Sequence, residues 1–166
     1  MGQDDLHLFL SIAEIAGVFI GFGALISFAR DATADARSQL LAVVMIGLVV
    51  LSAALLPVWL DRFGLTDRAL WMLSSAGFLL AIWMTLFIGF RDRDFREWHR
   101  ADAKAHPVRA ALFWGCLEVP IQVSLVLEIL GVAPTLSSAF YVTALVLNLF
   151  EAAITLGRLV LARDSQ

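Results

Sequence analysis

The chain has 166 residues, 60% of them hydrophobic and 16% charged, with a mean hydropathy of +0.84 and a formal net charge of −3. A soluble domain carries roughly a quarter of its residues as charges, so this composition excludes an ordinary water-solvated fold and leaves no stretch for a separate soluble module. A lone cysteine, Cys116, excludes an internal disulfide, and its place in an apolar run makes a small packing residue the expected role.

A bilayer core about 30 Å thick is crossed by about 20 apolar residues rising 1.5 Å each. Five runs meet that requirement: Leu6–Ala29, Ser38–Leu60, Ala69–Phe90, Ala110–Ala133 and Thr135–Gly157. The expected fold is therefore all-α, a single polytopic membrane domain over residues 1–166. The first run is preceded by Met1–Asp5, which has no basic residue, so a cleaved signal peptide is not expected. Leu6 stands where N-myristoylation requires a hydroxyl.

Polar punctuation separates the runs. Arg30–Arg37 and Asp61–Arg68 form the first two breaks, Arg91–Arg109 a longer charged loop, and Gly131-Val132-Ala133-Pro134 a short turn in which Gly ends one helix and Pro begins the next. With the N-terminus outside, Arg62 and Arg68 fall on the outer face. Arg30, Arg37, Arg91, Arg93, Arg96, Arg100, Lys104, Arg109, Arg158 and Arg163 then fall on the inner one. That imbalance predicts an N-out, C-in topology. The run Ile12–Gly23 has the composition of small bacterial membrane proteins, which makes a bacterial inner membrane the expected location. Trp59, Trp71 and Trp114 near helix ends read as interfacial anchors, and Phe95 with Trp98 as contacts of the third loop with headgroups. Phe19-Ile20-Gly21-Phe22 echoes Phe87-Ile88-Gly89-Phe90, a weak internal repeat.

The second and third runs carry no charge, whereas the first holds Glu14, the fourth Glu118 and Glu128, and the fifth Asn148 and Glu151. An acid near the bilayer centre costs roughly 2.5 to 3.5 kcal/mol, so these side chains are expected to face protein or water. At 100° per residue they form stripes. Glu118, Gln122 and Glu128 share an arc, with Ser124 beyond its edge and Leu125 inside it. Tyr141, Asn148, Glu151, Thr155 and Arg158 form a second stripe, and His7, Ser11, Glu14, Gly17 and Gly21 a third. Three polar stripes predict one shared interior. Helical rise places Glu14 and Glu128 at an outer level, about 12 and 7 Å deep, and Glu118 and Glu151 at an inner one more than roughly 20 Å deep, with Asn148 close by.

Acids without basic partners are satisfied by protonation, a bound cation or a hydrated cavity. The expected function is accordingly a cation channel or cation-binding transporter, working as a homo-oligomer in the lipid bilayer, with Glu14, Glu118, Gln122, Glu128, Asn148 and Glu151 as its cation-binding groups. Its rival is a non-transporting packing or assembly protein whose acids are protonated and hydrogen-bonded. The Gly17–Gly21 pair, a G-x-x-x-G pattern, predicts close helix packing, and Pro120 a kink beside Glu118. His99, Asp102 and His106 share a helical face and metal-ligand chemistry, although a salt-bridged segment accounts for the same residues. The phosphate-loop, C-x-x-C, H-E-x-x-H and G-x-S-x-G patterns are absent, and haem ligation by His7 finds no obvious second ligand. Catalytic residues, a cofactor other than a cation and a nucleic-acid partner are not expected; an intramembrane acid–base enzyme built on Glu118 and Glu151 would lack a nucleophile.

The topology is open to direct measurement. In a Cys116→Ala background, an impermeant thiol reagent applied to intact cells should label Gln3→Cys, Thr66→Cys and Thr135→Cys and leave Lys104→Cys unmodified. The reverse pattern would invert the orientation.

Overall fold

The computed structural model describes residues 2–28 and 34–161, and these are all-helical. Of the basic residues used to orient the chain, Arg30 and Arg163 lie outside the described residues, as do the side chains of Arg37 and Trp98. In chain order the elements are α1 (Gln3–Phe28), α2 (Ala34–Arg62), α3 (Asp67–Arg91), α4 (Arg93–Ala105), α5 (Pro107–Phe113), a π turn (Trp114–Glu118), α6 (Val119–Leu130), a 3-10 turn (Pro134–Leu136) and α7 (Ser137–Leu161). Helix α5, the π turn and α6 run on as one rod. With α1, α2, α3 and α7 it makes five helices long and apolar enough to cross a membrane.

Local chemistry sets the boundaries. The fourth span begins at Pro107 rather than Ala110, because proline is preorganised for a first helical turn that needs no N–H from it. It ends at Leu130 rather than Ala133. Gly131 adopts the left-handed conformation at φ 68°, its N–H donates to the Glu128 carbonyl, and Val132 donates to Leu127. The Arg68 guanidinium lies over Gly131, within 2.6 Å of where a Cβ would stand, and places positive charge at the negative end of α6.

The stretch 91–109, expected as a charged loop, instead contains α4. Asp92 leaves the helical conformation, at φ −71° and ψ 130°, and its carboxylate accepts the Phe95 N–H at 3.4 Å, capping the new helix. Arg93 and Glu97 pair one turn apart at 2.9 Å on the exposed side. On the other side the Phe95 ring rests 3.1 Å from the position a Cβ would take on Gly89, so Phe95 folds α4 back onto α3. The polar majority of this segment conceals a narrow apolar face, which is why composition alone reads it as a loop.

Helix α2 is the centre of the bundle: α1, α3 and α7 pack on it, and α6 closes over α3 and α7. Gly47 carries the α1–α2 contact, where a Cβ would fall 2.8 Å from the Ile20 side chain. Gly17 and Gly21, expected to serve close packing, face open space, with nothing within 4 Å of an added Cβ. Trp71 is not a free interfacial anchor either. Its ring lies 6.0 Å from Phe9 and 5.8 Å from Tyr141, inside an aromatic cluster completed by Phe78, whereas Trp59 is exposed beside Phe63.

Tyr141 is the hub of that cluster and also repairs a backbone defect. Pro57 has no N–H, so the carbonyl of Ala53, four residues earlier on α2, receives no intrahelical donor. The buried Tyr141 hydroxyl donates to that oxygen at 2.7 Å. Tyr141→Phe should therefore lower stability by about 1–3 kcal/mol, the usual cost of a buried unsatisfied acceptor. In a Pro57→Ala background, where an N–H is restored, the same change should cost much less. Thermal unfolding of the four proteins measures this coupling, and additive effects would exclude the repair.

Candidate functional site

The half of the bundle nearest α4 is not filled. A partly enclosed cavity of about 280 Å³ lies between the near ends of α2, α3 and α7, the π turn, and α4, which covers it. Its deep wall carries two carboxyls, Glu118 and Glu151, each more than nine-tenths buried. Beyond them the bundle closes. Phe78, Ile121, Leu125, Tyr141 and Leu145 are fully buried in a continuous apolar core, and none of them lines the cavity.

The π turn explains how Glu118 reaches the cavity in aromatic company. On a regular α-helix, residues five apart point about 140° away from each other. Here the Val119 N–H donates to the Trp114 carbonyl, five residues back, and this wide turn brings Phe113, Trp114 and Glu118 to one wall. The turn ends just before Pro120, whose missing N–H favours such a change of register. A kink was expected beside Glu118; the π turn stands at that point.

Glu118 and Glu151 approach within hydrogen-bonding reach of one another, as their matched depths predict. Gln122, one turn further along α6, donates from Nε2 to Glu118 Oε2 at 3.4 Å. Asn148, one turn before Glu151, is buried with its Oδ1 unpartnered. Thr155 donates to the Glu151 carbonyl at 2.8 Å. No described basic side chain forms an ion pair with either carboxyl. Four of the six expected cation-binding residues, Glu118, Gln122, Asn148 and Glu151, thus gather in one region.

Glu14 and Glu128 do not join them. Glu14 is exposed, together with His7, Ser11, Gly17 and Gly21, because α1 packs through the different face formed by Phe9, Ile12, Ala13 and Ala16. The expected shared interior of three stripes reduces to two helices. Glu128 is buried in α6 on the packed side of the bundle, with Oε1 unpartnered, and the cavity does not reach it. No outer acidic level forms between these two residues.

The metal-ligand trio also separates. Asp102 on α4 binds the Arg109 guanidinium on α5, His106 is exposed at the start of α5, and no group of three His, Cys, Asp or Glu side chains suited to a metal occurs among the described residues. His99 turns inward. It stacks on Phe95 at 4.9 Å, meets Phe90 and Trp114 edge-on at 5.9 and 6.4 Å, and lines the cavity. Sequence reading missed the aromatic wall of Phe95, His99, Phe113 and Trp114; the i, i+4 spacing of Phe95 and His99 was its only local signal.

No family model matches the chain, and no curated protein or solved structure is found similar to it. The geometry of the site alone carries the functional reading.

Burial pushes the His99 imidazole below the ordinary histidine value of 6.5; the Asp102 carboxylate opposes this and Arg158 adds to it. A base whose pKa falls on folding binds protons more weakly in the native state, so its packing contribution is complete above about pH 6.5 and declines as the pH drops further. Thermal stability measured from pH 8 to 5 should fall on the acid side, less steeply in His99→Phe. Equal slopes in the two proteins would remove His99 as the cause.

Proposed function

We propose that this is a membrane protein that binds a cation at the Glu118–Glu151 pair, loaded through the cavity beneath α4, and that it acts as a carrier or cation-binding transporter. The supporting observation is two carboxyls in mutual reach on the wall of a cavity, with neither one ion-paired among the described residues. Like charges this close are accommodated by a proton shared between them or by a cation. Gln122 and Asn148 add amide groups to the same region.

The closed core beyond the pair favours a binding site entered from one end over a standing pore. In the topology expected from the distribution of basic residues, that entrance faces the cytoplasm. A homo-oligomer would give the exposed Glu14 and Ser11 a polar neighbour in place of lipid. The packing reading retains support at Glu128, which lies in the dense half of the bundle and outside the cavity.

Glu→Gln keeps shape and hydrogen-bonding capacity while removing the charge. Glu118→Gln and Glu151→Gln should each weaken proton uptake or cation-induced thermal stabilisation at least tenfold, about 1.4 kcal/mol, while Glu14→Gln and Glu128→Gln leave it near wild type. Titrating folded protein with H⁺, Na⁺, K⁺, Ca²⁺, Mg²⁺ and organic cations covers the candidates. If wild-type protein takes up none of them, or all four variants behave alike, the acids serve packing.

A further inference from the structure

Three features of the cavity narrow the kind of cation it would take. Its walls are largely aliphatic, with Leu41, Met45, Ile46 and Leu86 among them. One side carries an aromatic arc: the Phe95–His99 stack, then His99 against Trp114 at 6.4 Å, then Trp114 against Phe113 at 6.5 Å. The carboxyl pair stands on the deep wall. The Phe113 ring is taken by the protein's own cation, with the Arg158 guanidinium 5.4 Å from its centroid, which leaves the Trp114 ring for a ligand.

A hard divalent ion asks for six or more oxygen ligands and would leave the aromatic and aliphatic walls without a role. An organic ammonium uses all three features: carboxylates for its charge, ring faces for its polarised methyl or methylene groups, and aliphatic walls for its apolar body. At about 280 Å³ the cavity lies just below the roughly 300–1,000 Å³ range of pockets that take drug-sized ligands, the scale of a small amine. Asp102 at the edge of the cavity is taken by Arg109, whereas the Glu118–Glu151 pair has no ion-pair partner among the described residues, so the pair favours a cation and resists the phosphate of a lipid headgroup.

We infer that the ligand of this cavity is a small organic ammonium compound with an apolar or aromatic body, held between the Glu118–Glu151 pair and the Trp114 side of the arc. The inference rests on the cation site proposed above and adds the ligand class.

Phenyltrimethylammonium is a suitable probe, with tert-butylbenzene as its uncharged isostere and Na⁺, K⁺ and Mg²⁺ as inorganic comparators, all titrated into purified full-length protein in lipid nanodiscs. Calorimetry and thermal unfolding should show saturable binding of one phenyltrimethylammonium per chain, at least tenfold tighter than tert-butylbenzene. Glu118→Gln and Glu151→Gln should weaken it at least tenfold. Trp114→Leu, which leaves both acids in place, should weaken phenyltrimethylammonium at least tenfold and shift proton uptake much less, a readout that survives if a glutamate variant fails to fold. Stabilisation by H⁺ or inorganic cations that depends on Glu118, with no response to phenyltrimethylammonium, overturns the ligand class and leaves the cation site standing. Equal binding of the ammonium and its neutral isostere, insensitive to both glutamates, overturns the ligand class by showing a merely apolar cavity. No response to any cation removes the ligand class and the site together.

Discussion

The bond from the Tyr141 hydroxyl to the Ala53 carbonyl is the constraint around which the bundle is arranged. A backbone carbonyl without a donor is costly in a bilayer, where no water is available to replace one. Pro57 creates such a carbonyl on the central helix, and its repair requires α7 to present Tyr141 to α2. That requirement sets the rotation of α7. Asn148, Glu151 and Thr155 lie on the same side of the helix as Tyr141 at 100° per residue, so the rotation that satisfies Ala53 also turns them toward the interior. The rings of Phe9, Trp71 and Phe78 then close around Tyr141 at 5.8–6.0 Å and bind α1 and α3 to the same point.

The two halves of the bundle have different physical characters as a result. The half around Tyr141 is dense and continuous and offers no path. Toward α4 the helices leave room, and α4 covers the gap through Phe95 and His99 in place of a transmembrane neighbour. The π turn lies in this looser half. Its altered register has one steric effect, bringing Phe113 and Trp114 to the side of Glu118, and that effect gives the carboxyl pair an aromatic wall. The Arg109–Asp102 pair ties α4 to the start of α5, so the cover is fixed at the end of α4 as well as where Phe95 meets Gly89.

Glu14 shows why a polar stripe alone does not locate an interior. Helix α1 is apolar almost all round, and several of its faces can pack; Phe9, Ile12, Ala13 and Ala16 fit the groove beside Gly47 better than the face bearing His7, Ser11 and Glu14. Helical periodicity reports which residues share a face, not which face wins. Gly17 and Gly21 mislead for the same reason: close approach is carried by Gly47 on the partner helix and by Gly23 on α1, where a Cβ would fall 3.0 Å from Val44. Glu118 and Glu151 were easier to place together, because rise per residue fixes depth once a span is known and each sits on a stripe that packing also selects.

The sequence by itself determined the five apolar spans, the helix stop at Gly131, the start at Pro134 and the common level of Glu118 and Glu151 along their helices. All of these follow from local quantities: transfer energy per residue, 1.5 Å of rise, and the dihedral limits of glycine and proline. Tertiary structure decided which stripe faces inward, that the charged segment folds as α4 onto Gly89, that Tyr141 repairs the gap left by Pro57, and that a cavity remains beneath α4. Each of these depends on how side chains distant in sequence share one volume, and packing between helices is not encoded in any single helix's pattern.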